Sequence, residues 1–161
     1  MIFGIAEQKD IAQLTQLMIE FLKEDFDGMT EEKIKTLEKN ITEFFEKHLN
    51  KDAFSFVARD GDKIVSTAIL NIIEKPANPN YVHGRVGEVN SVFTLPEYRR
   101  KGYALQIIKN LVEFSKENQI DRVDLKATEM GAPVYLKAGF QITESTQTPM
   151  HFSFSNGAAP F

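Results

Sequence analysis

The sequence predicts a mixed α/β fold, with a central mixed β-sheet of about six to seven strands flanked by about four helices, because its apolar period changes along the chain. Three stretches carry that expectation. Phe54 to Ile73 is rich in β-branched and aromatic residues around Asp60-Gly61, the signature of an antiparallel hairpin. Ile11 to Leu22 and Ile34 to Phe45 instead repeat apolar residues at helical spacing. Glu88 to Ala127 reads strand, helix, strand, a crossover that makes the two strands parallel and right-handed.

In chain order, Met1 to Ala6 is a short first strand. Asp10 is placed to cap a helix, with Gln13 at the reciprocal position of a capping box. Its stripe of Ile11, Leu14, Leu17, Met18, Phe21 and Leu22 belongs in the core, and the acidic, glycine-containing segment Glu24 to Met29 ends it. Thr30 caps a second helix, with Glu31 and Glu32 at its positive end and Lys47, His48 and Lys51 at the other. Phe54 to Arg59 and Ile64 to Ile73 form the hairpin. Lys75 to Arg85, broken by Pro76, Asn78, Pro79 and Asn80, is a loop of the kind that borders sites.

The strand from Glu88 stops at Pro96. Ala104, Leu105, Ile107, Ile108, Leu111 and Val112 then repeat as a helix that frays near Asn118. Arg122 to Ala127 alternates as a strand, and Gly131 to Ala138 is a short helix. Gly139 to Thr143 and Met150 to Phe154 complete the strands, and Ser155 to Phe161 is a loose tail. One domain accounts for all 161 residues.

Composition narrows the function. A hydrophobic share of 42% gives a real core, and a net charge of -4 argues against a nucleic-acid binder. No apolar run approaches ~20 residues and no leader pattern opens the chain, so no membrane association and a cytoplasmic location are expected. With no cysteine there is no disulfide, no thiolate zinc site and no acyl-cysteine intermediate. His48, His83 and His151 are scattered without ligand spacing, so no metal is expected. Neither a GK[ST] phosphate loop nor a GxGxxG turn is present.

Chemistry concentrates in EVNSVFTLPEYRRKGYA, Glu88 to Ala104. Here a strand hands over to a helix N-terminus through Arg99, Arg100 and Lys101 onto Gly102. The first helical turn has unpaired N–H groups and the positive end of the macrodipole, and Gly102 lets a phosphate reach the main chain. A second stretch, GAPVYLKAGF from Gly131 to Phe140, follows a strand that ends at Ala127 and Thr128.

These two stretches, in this order, resemble the Gcn5-related N-acetyltransferases (GNAT), which bind acetyl-coenzyme A through a [QR]xxGx[GA] turn and carry a YxKxGF-like signature downstream. Arg99, Gly102 and Ala104 match the first pattern; Tyr135, Lys137, Gly139 and Phe140 match the second. The expected element order fits over nearly the whole chain, although no clear family asparagine follows the Ala127 strand.

The resemblance implies a GNAT-like sheet and acetyl-CoA as acyl donor, with no metal. The pyrophosphate would rest on the N–H groups of Arg100, Lys101, Gly102, Tyr103 and Ala104, with the Arg99 side chain beside it. Pantetheine would pair with the backbone of Val92, Phe93 and Thr94, and Thr128 joins the cofactor-binding set. A β-bulge around Asn90 to Phe93 would open the gap that this pairing needs.

An amine with a pKa near ~10 must lose a proton before attack, and a thiolate with a pKa near ~8.5 leaves more easily beside a donor. Glu88, on the same strand face as Asn90 and Val92, is the candidate base, directly or through a water; it also reads as an ordinary charged residue at a strand start. Tyr135 is the candidate acid, against a half-buried core tyrosine. Direct transfer in a ternary complex is expected.

For the acceptor, the resemblance points to the Glu24 to Met29 and Lys75 to Arg85 loops. There Glu24, Asp25 and Asp27 could draw a cationic amine, with Phe26 or Tyr81 covering its apolar part, or could be solvated turns. A small-molecule amine is the expected partner. The competing function is a non-catalytic acyl-CoA sensor or interaction module. The apolar last strand and the phenylalanine-ended tail permit a homodimer.

Overall fold

Among the described residues, five strands form one mixed sheet in chain order: β1 (Ile2–Ile5), β2 (Ala53–Asp60), β3 (Lys63–Glu74), β4 (Arg85–Thr94) and β5 (Arg122–Asp124). The structure, a computed structural model, describes residues 1–154, so the expected loose tail, Ser155 to Phe161, lies outside the described residues. The first four strands pair antiparallel, and β5 lies parallel to β4. The helices are α1 (Ile11–Asp25), α2 (Glu31–His48), α3 (Tyr103–Glu117) and α4 (Ala132–Lys137). Among the described residues no helix is long and apolar enough to cross a membrane.

Strand alternation sorts the two faces. Phe54 and Phe56 of β2 meet Phe114 of α3 on one face, at 4.8 and 5.4 Å between ring centres. Ser55, Val57 and Arg59 therefore point to the other, where α1 and α2 lie. Leu14, Leu17, Ile41 and Phe45 are buried on the α1–α2 side; Ile107, Ile108 and Leu111 of α3 are buried on its own. Both helical stripes are thus core, as their spacing predicts.

Sequence and structure differ at three places. The sheet has five strands among the described residues, not six to seven, because Gly139 to Thr143 and Met150 to Phe154 form none. Ile142, Met150, Phe152 and Phe154 are each more than four-fifths exposed, so apart from Phe140, which packs on Tyr135, these segments bury no apolar side chain that would hold them to a sheet. The strand expected to run to Ala127 also stops at Asp124, where its pairing with β4 ends.

The third difference concerns Asp10, whose side chain does not cap α1. A 3-10 turn, Gln8–Asp10, precedes the helix, and the buried Asp10 carboxylate accepts from both terminal nitrogens of Arg59 at 3.1 and 2.5 Å and from the Glu7 N–H. Gln13 bonds the β2–β3 turn instead, donating to the Asp62 carbonyl and accepting from the Ile64 N–H. These bonds stitch the start of α1 to the hairpin. By contrast, Thr30 caps α2 as expected, accepting from the Lys33 N–H.

Burial pushes the Asp10 carboxyl up, but the bonds and charge of Arg59 outweigh it and hold the group below its ordinary value. Its stabilisation is therefore full above the unfolded carboxyl value near ~3.9 and is lost as the pH falls through the lower folded value. Asp10→Asn leaves a largely buried guanidinium without its counter-charge and should cost about 3 kcal/mol in urea unfolding at pH 7. The gap between variant and parent should shrink below about pH 4.

Candidate active site

The ladder between β3 and β4 pairs Ile69 with Asn90 but Thr67 with Phe93, so Ser91 and Val92 together oppose Ala68. This is the bulge expected between Asn90 and Phe93, and Ser91 takes a left-handed φ of 52° there.

 The Ser91 φ is thus +52°, in the left-handed region that Asn50, at +62° in the turn into β2, also occupies. The extra residue rephases the strand. Glu88 and Asn90 lie opposite Asn71 and Ile69, and beyond the bulge Phe93 returns to the same face, where its ring meets Phe21 of α1 at 6.0 Å. Ser66 of β3 bonds the Phe93 carbonyl at 3.3 Å and the Thr94 hydroxyl at 2.7 Å, fixing the strand end.

On the opposite edge of β4, pairing with β5 ends at Glu88–Asp124. Beyond Glu88, that edge has no strand beside it among the described residues, and Val92, Phe93 and Thr94 border the resulting gap. The gap leads to a 3-10 turn, Pro96–Tyr98, and then to the basic turn. Arg100 and Gly102 are both left-handed, at φ 60° and 81°. The first helical bond runs from the Gln106 N–H to the Gly102 carbonyl at 3.1 Å, which leaves the preceding N–H groups for a ligand or water. A Cβ on Gly102 would meet nothing within 4 Å, so the space before the helix is open.

The basic side chains divide. Arg99 is engaged by the protein itself: Nε donates to the Thr94 carbonyl at 2.8 Å, Nη2 reaches both Glu24 carboxylate oxygens at 2.8 Å, and the guanidinium lies over Phe93. It ties the end of α1 to the turn, and it occupies the Glu24 carboxylate that the sequence offers to a cationic acceptor. Arg100 is exposed, and Lys101 Nζ lies 5.2 Å from the Tyr98 ring centre. Tyr103 sets its ring against Phe3 of β1, while Ala104 is half-buried. Thr128 spends its hydroxyl and carbonyl on the Gly131 N–H, shaping the turn into α4.

Glu88 is exposed and accepts from Asn90 Nδ2 at 3.2 Å. Tyr135 of α4 is half-buried, with its ring edge-to-face with Phe140 at 6.0 Å. Burial pushes its phenol above the ordinary value, so it keeps its proton at neutral pH and is a donor.

A cavity of about 280 Å³ opens on the α1–α2 face beside the bulge. Met18, Ile41, Phe44 and Ile69 give it apolar walls, and Asn40, Asn71 and Asn90 carry its amides. Neither loop expected at the acceptor contributes to it. The Lys75 to Arg85 segment folds toward β5 instead: Asp121 accepts from the His83 and Arg85 N–H groups and holds His83 Nδ1 at 2.7 Å, and Arg122 lies over Tyr81. His48 pairs with Asp52 at the end of α2. The asparagines escape notice in a search for charged groups. Their signal is an amide interrupting an apolar strand, Asn71 in ILNII and Asn90 in EVNSV. Among the described residues no group of three or more His, Cys, Asp or Glu could hold a metal ion.

The sequence model of the acetyltransferase (GNAT) family matches residues 15–140. Among solved structures, a predicted acetyltransferase with acetyl-CoA from Clostridium acetobutylicum is similar at 27% identity and a TM-score of 0.78, over 93% of this chain and 95% of that one. A GCN5-related N-acetyltransferase from Ralstonia eutropha shares the fold at 19% identity and a TM-score of 0.75, over 92% and 97% of the two chains. A glucosamine-6-phosphate N-acetyltransferase from Arabidopsis thaliana shares it at 20% identity and a TM-score of 0.65, over 95% and 100%. No curated protein matches the chain.

Proposed function

The chain belongs to the acetyltransferase (GNAT) family, and from that premise we propose that it moves an acetyl group from acetyl-CoA to a primary amine by direct transfer in a ternary complex. One observation carries this reading: the Ser91–Val92 bulge, the end of β5 pairing and the left-handed turn at Gly102 fall in succession along one strand and its exit. A rail for amide groups thus runs into a cradle for phosphate. The acetyl-CoA in the similar Clostridium structure supports the choice of donor.

Bound acetyl-CoA supplies an activated thioester carbonyl. The chain holds its pyrophosphate on the N–H groups before Gln106, with Arg100 and Lys101 adding charge, and aligns its pantetheine along Val92 to Thr94. Glu88 takes the proton from the incoming ammonium, directly or through a water. The amine nitrogen then bonds to the carbonyl carbon, the carbon–sulfur bond breaks, Tyr135 gives its proton to the departing sulfur, and the surplus proton on the nitrogen passes to the phenolate, directly or through water. The products are an N-acetyl amide and free coenzyme A. The lack of a cysteine, and of a Ser/His/Asp order in a supporting context, favours both substrates meeting in one complex over an acyl-enzyme.

Glu88→Gln should lower kcat at pH 7 by about 10²-fold and recover partly toward pH 10, where the amine is already free. A pH profile identical to the parent's would take Glu88 out of the reaction. Initial rates over a grid of acetyl-CoA and amine concentrations test the order of events. Intersecting reciprocal plots are expected, and parallel ones would rule out direct transfer.

A further inference from the structure

We infer that the cavity between α1, α2 and the bulged strand binds the acceptor, and that the acceptor is a small primary amine with an apolar body, of the phenylalkyl or alkyl class, not a polycation. This rests on the acetyltransfer reading and specifies its second substrate. The cavity adjoins the proposed base directly: Asn90, on its wall, is bonded to Glu88, and Asn71, also on its wall, is the register partner of Glu88 across the sheet. An amine emerging from it meets Glu88 and the bulge.

The lining decides the chemical class. Met18, Ile41, Phe44 and Ile69 come from three different elements and give the cavity apolar walls, and no charged side chain lines it. A di- or polyamine would have to place a second ammonium against those walls without a counter-charge. Glu24, the carboxylate that the sequence offers to a cation, lies outside the lining and is held by Arg99. At about 280 Å³ the cavity lies at the small end of ligand pockets, which suits a small amine with one apolar group.

The same lining assists the chemistry. An apolar surround disfavours the ammonium form, so it lowers the pKa of the bound amine and eases its deprotonation. Asn90, whose amide nitrogen donates to Glu88, presents its carbonyl oxygen as an acceptor for an amine N–H.

The test compares phenethylamine and hexylamine with spermidine, free lysine and a short peptide with a free N-terminus, each with acetyl-CoA, by thiol release. The two apolar amines should exceed the others at least tenfold in kcat/KM. Met18→Asp and Asn71→Asp, both at partly exposed positions, should each reduce that preference at least tenfold by adding a carboxylate to the cavity. Preference for spermidine, lysine or the peptide would overturn the acceptor assignment while leaving acetyl transfer standing. So would an apolar preference that both variants leave unchanged. Acetyl-CoA binding by calorimetry with no thiol release from any amine would overturn the assignment together with the reading beneath it.

Discussion

Tyr135→Phe should lower kcat by about 10²–10⁴-fold, the range for loss of a positioned general acid, with the dissociation constant for acetyl-CoA unchanged. The ring stays: its contact with Phe140 and its half-buried seat on α4 involve no hydroxyl. Only the proton donor goes. Burial holds the phenol above its ordinary value, so the parent donates throughout the neutral range and its rate should not fall until the pH exceeds that raised value. A thioester with a more acidic thiol leaving group needs less help, so the variant's deficit should narrow with such a donor. An equal deficit for both donors would assign Tyr135 a packing role instead.

Gly102→Val should weaken acetyl-CoA binding by about 10²-fold, through backbone geometry and not lost charge. Gly102 sits at φ 81° immediately before α3, and a β-branched residue there is a genuine outlier. No protein atom would meet its Cβ within 4 Å, so the fold itself has room for the side chain. The damage falls on the N–H groups that the left-handed turn directs at the phosphate, and on the approach that a side chain obstructs. Calorimetric titration with coenzyme A reads the loss directly. The thermal unfolding midpoint should fall by only a few degrees, from the ~1–2 kcal/mol that an L-residue costs in the left-handed region, because Gly102 is exposed at a helix start and no packing is lost.

How much of this was legible in the sequence depends on the range of the interaction. Thr30 capping, the Asp60-Gly61 hairpin and the Gly102 turn are set by residues adjacent in the chain, and each stands where it was expected. The bulge also fell within its expected residues, but that expectation came with the family resemblance; nothing in EVNSVF by itself marks the two residues that oppose Ala68. Asp10 shows where local rules fail. Its cap pattern is good, yet Arg59, 49 residues away, takes the carboxylate, because a buried carboxylate needs a counter-charge that a helix N–H does not supply.

Arg99 failed to declare its partner for the same reason, since Glu24 is 75 residues distant. The alternation of Met150, Phe152 and Phe154 is a strand pattern, but a strand also needs a partner edge, and β5 has only three residues. The acceptor cavity was least legible. It is assembled from α1, α2, β3 and β4, and its amides look unremarkable until the register sets Asn71 beside Glu88.

The measurement that bears most directly on acetyl transfer is product stoichiometry: purified protein, acetyl-CoA and phenethylamine, with free thiol read optically and the amine product read by mass. Equal amounts of thiol and N-acetylphenethylamine, both abolished or nearly so by Tyr135→Phe, are the predicted result. Bound acetyl-CoA with neither product formed from this or any other amine would contradict it.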